Sequence, residues 1–185
     1  MNGRSTTVKH TLAALACACA LLGGHVDAAD GYPLKQGLHQ WNAGGGKLML
    51  VVGTYQDTVT FRRTYSFYFK EAKEEDWNQV PVQGRKGGPS FTWDSATGGE
   101  VTLADGVVAQ RADAVYFIVA DKRADRGFYE KGDIFVTWNK LTLSDDAHPD
   151  DAPYQFKPVF TRKYPGSAST VDAILARELT LQPRK

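Results

Sequence analysis

The chain has 185 residues and a formal net charge of +1, because 22 lysines and arginines nearly balance 21 aspartates and glutamates. This balance argues against a nucleic acid or an anionic membrane surface as the main partner, since both attract proteins with a basic excess. The length suits one domain rather than several.

The first 28 residues have the order of segments that is typical of a cleavable secretory signal peptide. Arg4 and Lys9 precede the apolar run 12–22, and the small-residue site Val26-Asp27-Ala28 follows it. A transmembrane helix needs about 20 apolar residues and this run has about 11, so no stable membrane anchor is expected.

Cleavage is predicted after Ala28, with Ala29 as the alternative, which leaves a single β-rich domain over residues 29–185. Cys17 and Cys19 both lie in the segment that is removed. Lipid attachment to Cys17 is the weaker alternative, because apolar chain continues after it. The mature domain is therefore expected to contain neither a disulfide nor a thiol, although an exported protein could form disulfides.

The beginning of the domain predicts a loop followed by two strands. Residues 29–46 are rich in glycine and polar side chains, and the first strand is expected at 47–52. Residues 59–69 alternate between apolar and polar side chains, as in a half-buried strand. Arg63 interrupts the apolar side, which favours a strand that leaves the core or bends there. A cation held near a pocket is the alternative.

Several short strands are expected to follow the charged and solvated connection 71–76. The first surrounds Pro81, and further strands are expected at residues 91–93, 101–103, 114–120 and 133–143. The apolar run 114–120 is typical of a central strand that is buried on both faces. Gly98-Gly99 and Asp105-Gly106 have the composition of turns between strands.

The end of the chain predicts a last strand and one helix. The strand covers residues 154–160, is broken by Pro158, and is followed by a turn at Pro165-Gly166. A helix start at residues 169–172 fits a capping box, and apolar residues then recur at helical spacing on one face, namely Val171, Ile174, Leu175 and Leu179. The sequence thus predicts a mainly β fold, an antiparallel β-sandwich or barrel-like sheet with one C-terminal helix.

Familiar catalytic and metal-binding motifs are missing from the mature sequence. Its two histidines, His39 and His148, lie apart, and there is no HExxH zinc motif, Gly-x-Ser-x-Gly elbow or Ser-x-x-Lys pair. We therefore expect no catalytic residues, no metal and no cofactor. A hydrolase whose catalytic triad assembles from distant residues stays open, because such sites are defined by geometry.

An acidic stretch follows the strand that ends near residue 143. It reads SDDAHPDDAP and carries Asp145, Asp146, His148 and Asp150. A solvated loop is favoured over a calcium site, because the EF-hand spacing is absent. If this loop protrudes, these four residues are the candidates for binding a protein partner.

Four tryptophans, Trp41, Trp77, Trp93 and Trp138, exceed what a minimal core needs. Most are expected to fill the core, but aromatic side chains also dominate ligand pockets and protein interfaces. Trp41 and Trp77 have polar neighbours and are expected to be the more exposed ones.

The second half of the chain resembles the CarG-like carbapenem self-resistance proteins. The residues that carry the resemblance are the strand 115–119, the basic turn from Lys122 to Tyr129, the strand 134–136, the step 153–156, and Tyr164 before the helix. The start, Leu34 to Gly37 followed by glycine-rich chain and the strand through residues 65–68, is compatible with it.

The resemblance implies a periplasmic, all-β protein that protects a cell against a carbapenem without the machinery of a β-lactamase. The implied mechanism is binding, either of the antibiotic or of a cell-wall target, so the partner is a small molecule or a periplasmic protein. The chemistry of such a ligand suggests Arg63, Trp93, Arg123 and Tyr129 as binding residues, with cations for a carboxylate and rings for an apolar body. An immunity or inhibitor protein that blocks a toxin or cell-wall hydrolase is the alternative.

Overall fold

Alternating apolar residues build two β-sheets that pack against each other, with one helix on the larger sheet. The computed structural model describes residues 32–56, 61–84, 87–124, 127, 129–144 and 152–182. The prediction of a mainly β fold with one C-terminal helix is confirmed. The predicted signal peptide, residues 1–28, and the acidic residues Asp145, Asp146, His148 and Asp150 lie outside the described residues.

Among the described residues, the smaller sheet has five strands, β1 (Gly37–Ala43), β2 (Gly46–Gln56), β3 (Phe61–Glu71), β4 (Asn78–Val80) and β7 (Trp93–Asp94). Their order is β1-β2-β3-β4, with β7 also paired to β3. These pairs are antiparallel.

The larger sheet has seven strands in the part of the chain that the structure describes, namely β5 (Val82–Gln83), β6 (Pro89–Ser90), β8 (Ala96–Gly98), β9 (Val101–Arg111), β10 (Ala114–Arg123), β11 (Gly132–Leu143) and β12 (Tyr154–Ser167). Their order is β6-β5-β12-β11-β10-β9-β8. The sheet is antiparallel except for the short contact between β5 and β12.

Pro81 marks the point where the chain passes from one sheet to the other. Val80 ends β4 in the smaller sheet and Val82 begins β5 in the larger one, and both side chains are buried. Proline has no N–H to donate to a ladder, while its carbonyl accepts a 3.0 Å hydrogen bond from the Phe156 N–H. The strand that was predicted around Pro81 is therefore two short strands in two sheets.

The core between the sheets is built from aromatic rings. Phe117 of β10 lies against Phe67 of β3, with centroids 4.9 Å apart, and Phe156 of β12 lies 4.8 Å from Phe67. Trp93 packs on Phe117 edge-to-face at 5.6 Å. Edge-to-face and tilted arrangements suit the ring quadrupoles, so these contacts fix the spacing of the sheets.

The helix α1 (Val171–Glu178) packs on β9 and β10. Thr170 caps it, because its hydroxyl oxygen accepts the Ala173 N–H at 3.1 Å. Val171, Ile174 and Leu175 are buried as the helical spacing predicted. No described helix is both long and apolar enough to cross a membrane.

The structure corrects the prediction of a loop before residue 47. Residues 37–43 form β1, in which Trp41 pairs with Leu48 and is 2 % exposed. The expectation that Trp41 is exposed was wrong, because its polar neighbours point to the other side of the strand. Gly44 and Gly45, both with positive φ, form the tight turn to β2.

The predicted turn at Asp105-Gly106 was also wrong, because both residues lie inside β9 and pair with Ala120 and Val119. A Cβ on Gly106 would lie 2.5 Å from the Phe117 ring, so glycine serves close packing here rather than a turn.

The last strand is longer than the sequence predicts, since Pro158 does not break β12. The partners shift from Trp138–Phe160 to Asn139–Pro158, which leaves Val159 as the extra residue of a bulge. Bulges tolerate a proline that cannot join the ladder. β12 continues through Pro165 and Gly166, where Asp133 accepts the Gly166 N–H at 2.8 Å.

Candidate functional site

A buried carboxylate, Asp105, lies at the centre of the first polar cluster. Its two oxygens accept hydrogen bonds from the Tyr65 hydroxyl and the Arg63 guanidinium, from the Tyr32 hydroxyl at 2.9 Å and from the Gly106 N–H at 2.9 Å. The Asp105 side chain is completely buried and that of Arg63 is 20 % exposed. A buried charge needs such compensation, although burial still raises the pKa of Asp105 above its usual value.

This cluster determines where Arg63 lies. β3 leaves the core toward Phe61, which is partly exposed, as the favoured interpretation predicted. The Arg63 side chain nevertheless turns inward to Asp105, and its guanidinium lies 5.3 Å from the Phe61 ring centroid. Arg63 is therefore a structural partner of a buried acid in this structure.

Tyr32 connects the cluster to the helix. Besides Asp105, its hydroxyl contacts the carboxylate of Asp172 in the first turn of α1, which also accepts from the Thr102 hydroxyl at 3.4 Å. Burial, together with the charge of Asp105, raises the pKa of Tyr32 and of Tyr65 well above the usual tyrosine value. Both phenols thus stay protonated donors at neutral pH.

Glu178 of α1 forms a second buried cluster. Its oxygens accept hydrogen bonds from Trp138 Nε1 at 2.7 Å, from Arg162 Nη1 at 2.5 Å and from the Tyr164 hydroxyl. The Glu178 side chain is completely buried. Sequence periodicity missed this residue, because nothing in a helical pattern distinguishes a buried, partnered glutamate from a solvated one. The cluster ties the helix to β11 and β12.

The four side chains that were predicted to bind a ligand do not share one site. Trp93 is 3 % exposed and lies in the core beside Tyr65, with centroids 5.7 Å apart. Arg123 is on the surface, where its guanidinium lies 4.4 Å from the Phe135 ring. Tyr129 is 72 % exposed, and Arg63 is held by Asp105. Ligand binding by these residues stays a prediction, but they are not assembled into a pocket.

Two adjoining cavities form a groove at one end of the sandwich, which we call the end groove. The larger, of about 810 Å³, lies along the β1–β2 turn, and the smaller, of about 470 Å³, lies along the β9–β10 turn. The residues that line both are Ala43, Gly44, Glu71 and Asp113. These volumes are within the range of small-molecule sites.

Charged side chains surround an apolar floor in the end groove. Lys47 and Lys70 line the larger cavity and Lys140 lines the smaller one, with Phe69 and Leu141 beneath. Glu71 accepts a hydrogen bond from the Tyr154 hydroxyl, which joins the two sheets at this end. Burial, followed by the hydrogen bond to Glu71, raises the pKa of Tyr154. A cavity with an apolar floor and charged side chains around it can bind an organic molecule.

The described residues include one histidine, His39. Its Nε2 lies 2.7 Å from the Lys35 carbonyl oxygen, and its ring stacks on Trp41. Within the described part of the chain, no group of three or more histidine, cysteine, aspartate or glutamate side chains is placed to hold a metal ion.

Comparison with known proteins gives a likeness of fold. No protein-family model matches the sequence, and a search of curated proteins finds no match. Among solved structures, the chain is similar to the crystal structure of CarG, with a TM-score of 0.62 and 15 % sequence identity. The match covers 78 % of this chain and 92 % of that one. This protein therefore has a CarG-like fold.

Proposed function

We propose that this protein is a non-catalytic periplasmic binding protein that protects its cell against a carbapenem. The CarG-like fold, over 78 % of the chain, is the observation that carries this proposal. It agrees with the sequence resemblance to CarG-like self-resistance proteins, which rests mainly on residues in the second half of the chain. Because fold alone does not determine function, the site itself has to support the proposal.

The polar chemistry of the described residues favours binding over hydrolysis. The two buried carboxylates, Asp105 and Glu178, are both occupied by arginine and tyrosine partners. A general base must be within hydrogen-bond reach of the group it activates, and His39 contacts a backbone carbonyl instead. The end groove supplies what binding needs, namely a cavity with an apolar floor and a charged rim.

The test is a titration of the purified mature chain with meropenem, followed by tryptophan fluorescence, thermal melting and the absorbance of the drug. A saturable fluorescence change and a raised melting temperature with no loss of drug are expected. Loss of the drug's absorbance would show hydrolysis and overturn the non-catalytic proposal. No response in any signal would exclude the carbapenem as the ligand and favour a protein partner.

The periplasmic location is part of the proposal. Export rests on the sequence of residues 1–28, and the periplasm rests on the resemblance to CarG-like proteins. The intact mass of the protein recovered from the periplasm tests it. A mass that begins at Ala29 is expected. Recovery only from the cytoplasm, or a mass that includes Cys17, would contradict it.

A second candidate function is the binding of a periplasmic protein, as an immunity or inhibitor protein does. A cavity of about 640 Å³ between β5, β6 and β12 favours it, because its walls are mostly apolar and include three prolines and Phe91. Phe91 is 54 % exposed. Large exposed aromatic side chains are typical anchors of protein interfaces. If meropenem has no effect, Phe91→Ala should weaken the inhibition of a cell-wall hydrolase by this protein, and unchanged inhibition would exclude this surface.

A further inference from the structure

We infer that the end groove binds a small organic anion, with the anionic group at Lys140 and the apolar body against Phe69 and Leu141. The inference rests on the proposed binding function and names the site and the ligand class. It differs from the sequence prediction, which placed binding at Arg63, Trp93, Arg123 and Tyr129.

The end groove contains lysine side chains that are available to bind an anion. Lys47, Lys70 and Lys140 line it together with Glu71 and Asp113. Glu71 is engaged by the Tyr154 hydroxyl, and the Lys70 ammonium lies 5.7 Å from the Trp77 ring. Among the residues that the structure describes, Lys47 and Lys140 have neither a hydrogen bond nor an ion pair through their side chains. Two cations are thus available to a ligand.

Arg111 adds fixed positive charge to the smaller cavity. Its guanidinium donates to the carbonyl oxygens of Leu179, Leu181 at 3.3 Å and Gln110 at 2.7 Å. These bonds hold the arginine at the C-terminal end of α1, where cations are favourable. Carbonyl oxygens carry no net charge, so the positive charge of Arg111 still acts on an anion in the cavity that it lines.

The floor supplies the apolar half of the site. Phe69, Val115 and Ala43 are buried and reach the smaller cavity, while Leu143 at its edge is 67 % exposed. Burying apolar surface of a ligand here favours binding roughly in proportion to the area removed from water. A cationic rim above an apolar floor selects amphiphilic anions over sugars or metal cations, because each part of the ligand then finds a matching environment.

The two turns of the rim have left-handed backbone. Gly44 and Gly45 have φ values of 48° and 86°, and an added Cβ at either would meet no atom within 4 Å. Ala112 has a φ of 50° and is the one non-glycine residue with positive φ among the described residues. Glycine adopts such φ values at little cost, whereas a non-glycine residue with this backbone, such as Ala112, is strained, and such strain is concentrated at binding sites and active sites. Its presence on this rim supports a binding role for the groove.

The experiment uses 8-anilinonaphthalene-1-sulfonate, a fluorescent aromatic anion, and meropenem. Three variants of the mature chain are titrated with each ligand. Lys140→Ala removes an available cation from the groove. Asp113→Asn removes the negative charge of Asp113, whose side chain has no hydrogen-bond partner among the described residues. Lys35→Ala is the control, because it removes an exposed lysine that does not line the groove. Thermal melting first shows that each variant is folded.

Opposite changes are expected from the two groove variants. Lys140→Ala should raise the Kd of the sulfonate about tenfold, as loss of a charge-assisted contact does. Asp113→Asn should lower it by about two- to threefold, since a like charge is removed. Lys35→Ala should leave it unchanged. A groove that is only structural would not produce opposite signs.

The outcomes separate the groove from the proposed function. If the Kd of the sulfonate depends on these charges but meropenem does not bind, the end groove is supported as an anion site and a carbapenem is excluded as its ligand. If meropenem binds saturably and the Kd of both ligands is the same in all variants, the proposed binding function stands, but the inference that the end groove is the binding site is wrong. If neither ligand gives a charge-dependent Kd, the inference is wrong.

Discussion

The guanidinium of Arg63 and the carboxylate of Asp105 form an ion pair that joins the two β-sheets. Arg63 belongs to β3 in the smaller sheet and Asp105 to β9 in the larger one. Tyr65 and Tyr32 donate to the same carboxylate, so one acidic side chain connects both sheets and, through Asp172, the helix.

Asp105→Asn should destabilise the domain by about 3–5 kcal/mol, because it leaves the guanidinium of Arg63 with an uncompensated charge in a mostly buried site. Urea denaturation followed by tryptophan fluorescence measures the free energy of unfolding. Asp133→Asn is the matched control, since it removes an ion pair with Lys163 at 2.7 Å that is largely exposed. Exposed pairs contribute little, and equal losses for the two variants would contradict a structural role for Asp105.

Alkaline pH should unfold the domain partly through Tyr65. Its pKa is raised in the folded state by burial and by Asp105. The stability that the protonated phenol contributes is complete below the pKa of an unfolded tyrosine, about 10, and is lost as the pH rises toward the folded-state pKa.

Tyr65→Phe removes this titration. Above pH 10, the free energy of unfolding of the variant should fall less steeply than that of the wild type, by up to about 1.4 kcal/mol per pH unit. Between about pH 7 and pH 9 the two curves should run parallel, because a tyrosine titrates there in neither the folded nor the unfolded state. Equal slopes above pH 10 would show that Tyr65 ionises normally in the folded protein.

Glu178→Leu should destabilise the domain by about 3–5 kcal/mol, because Arg162, Tyr164 and the Trp138 N–H lose their common acceptor. The double variant Glu178→Leu with Arg162→Met should recover part of that loss, since replacing both partners of a buried pair by apolar groups is often neutral. Urea denaturation of both single variants and the double variant gives the coupling energy. A double variant that loses the sum of the single effects would rule out the coupling.

Gly106→Ala should cost about 1–3 kcal/mol through overpacking. The new methyl group would lie 2.5 Å from Cε2 and 2.6 Å from Cζ of Phe117, a ring that is held between Phe67 and Trp93. Gly127→Ala is the control, because an added Cβ there meets no atom within 4 Å. Thermal melting compares the melting temperatures of the two variants. A Gly106→Ala variant as stable as the wild type would show that the Phe117 ring can shift to accommodate the methyl group.

Local patterns predicted much of the fold. The alternation predicted a strand over residues 59–69, and its described part, 61–69, lies in β3. The apolar run 114–120 and the helical spacing of Val171, Ile174 and Leu175 also predicted the right elements. β1 was missed although His39, Trp41 and Ala43 alternate with polar residues, because the glycines beside them suggested a loop. The signal was present but shorter and weaker than in the other strands.

The end groove could not be predicted from the sequence. Lys140 lies 93 positions from Lys47 in the chain, and nothing in either neighbourhood shows that the two lysines border one groove. The end groove exists because two hairpin turns, one from each sheet, meet at the same end of the sandwich. Trp93, by contrast, was chosen for its chemistry and is buried in the core.

The sequence by itself determined the β-rich class, the position of the helix and most strand faces, because period-two and helical spacing are local properties of the chain. The tertiary structure alone decided the roles of Asp105 and Glu178. An aspartate before a glycine has the composition of a turn, and only the donors contributed by Arg63, Tyr65 and Tyr32 make its burial inside a strand favourable. These partners come from distant parts of the chain, and long-range pairing of this kind leaves no periodic signal.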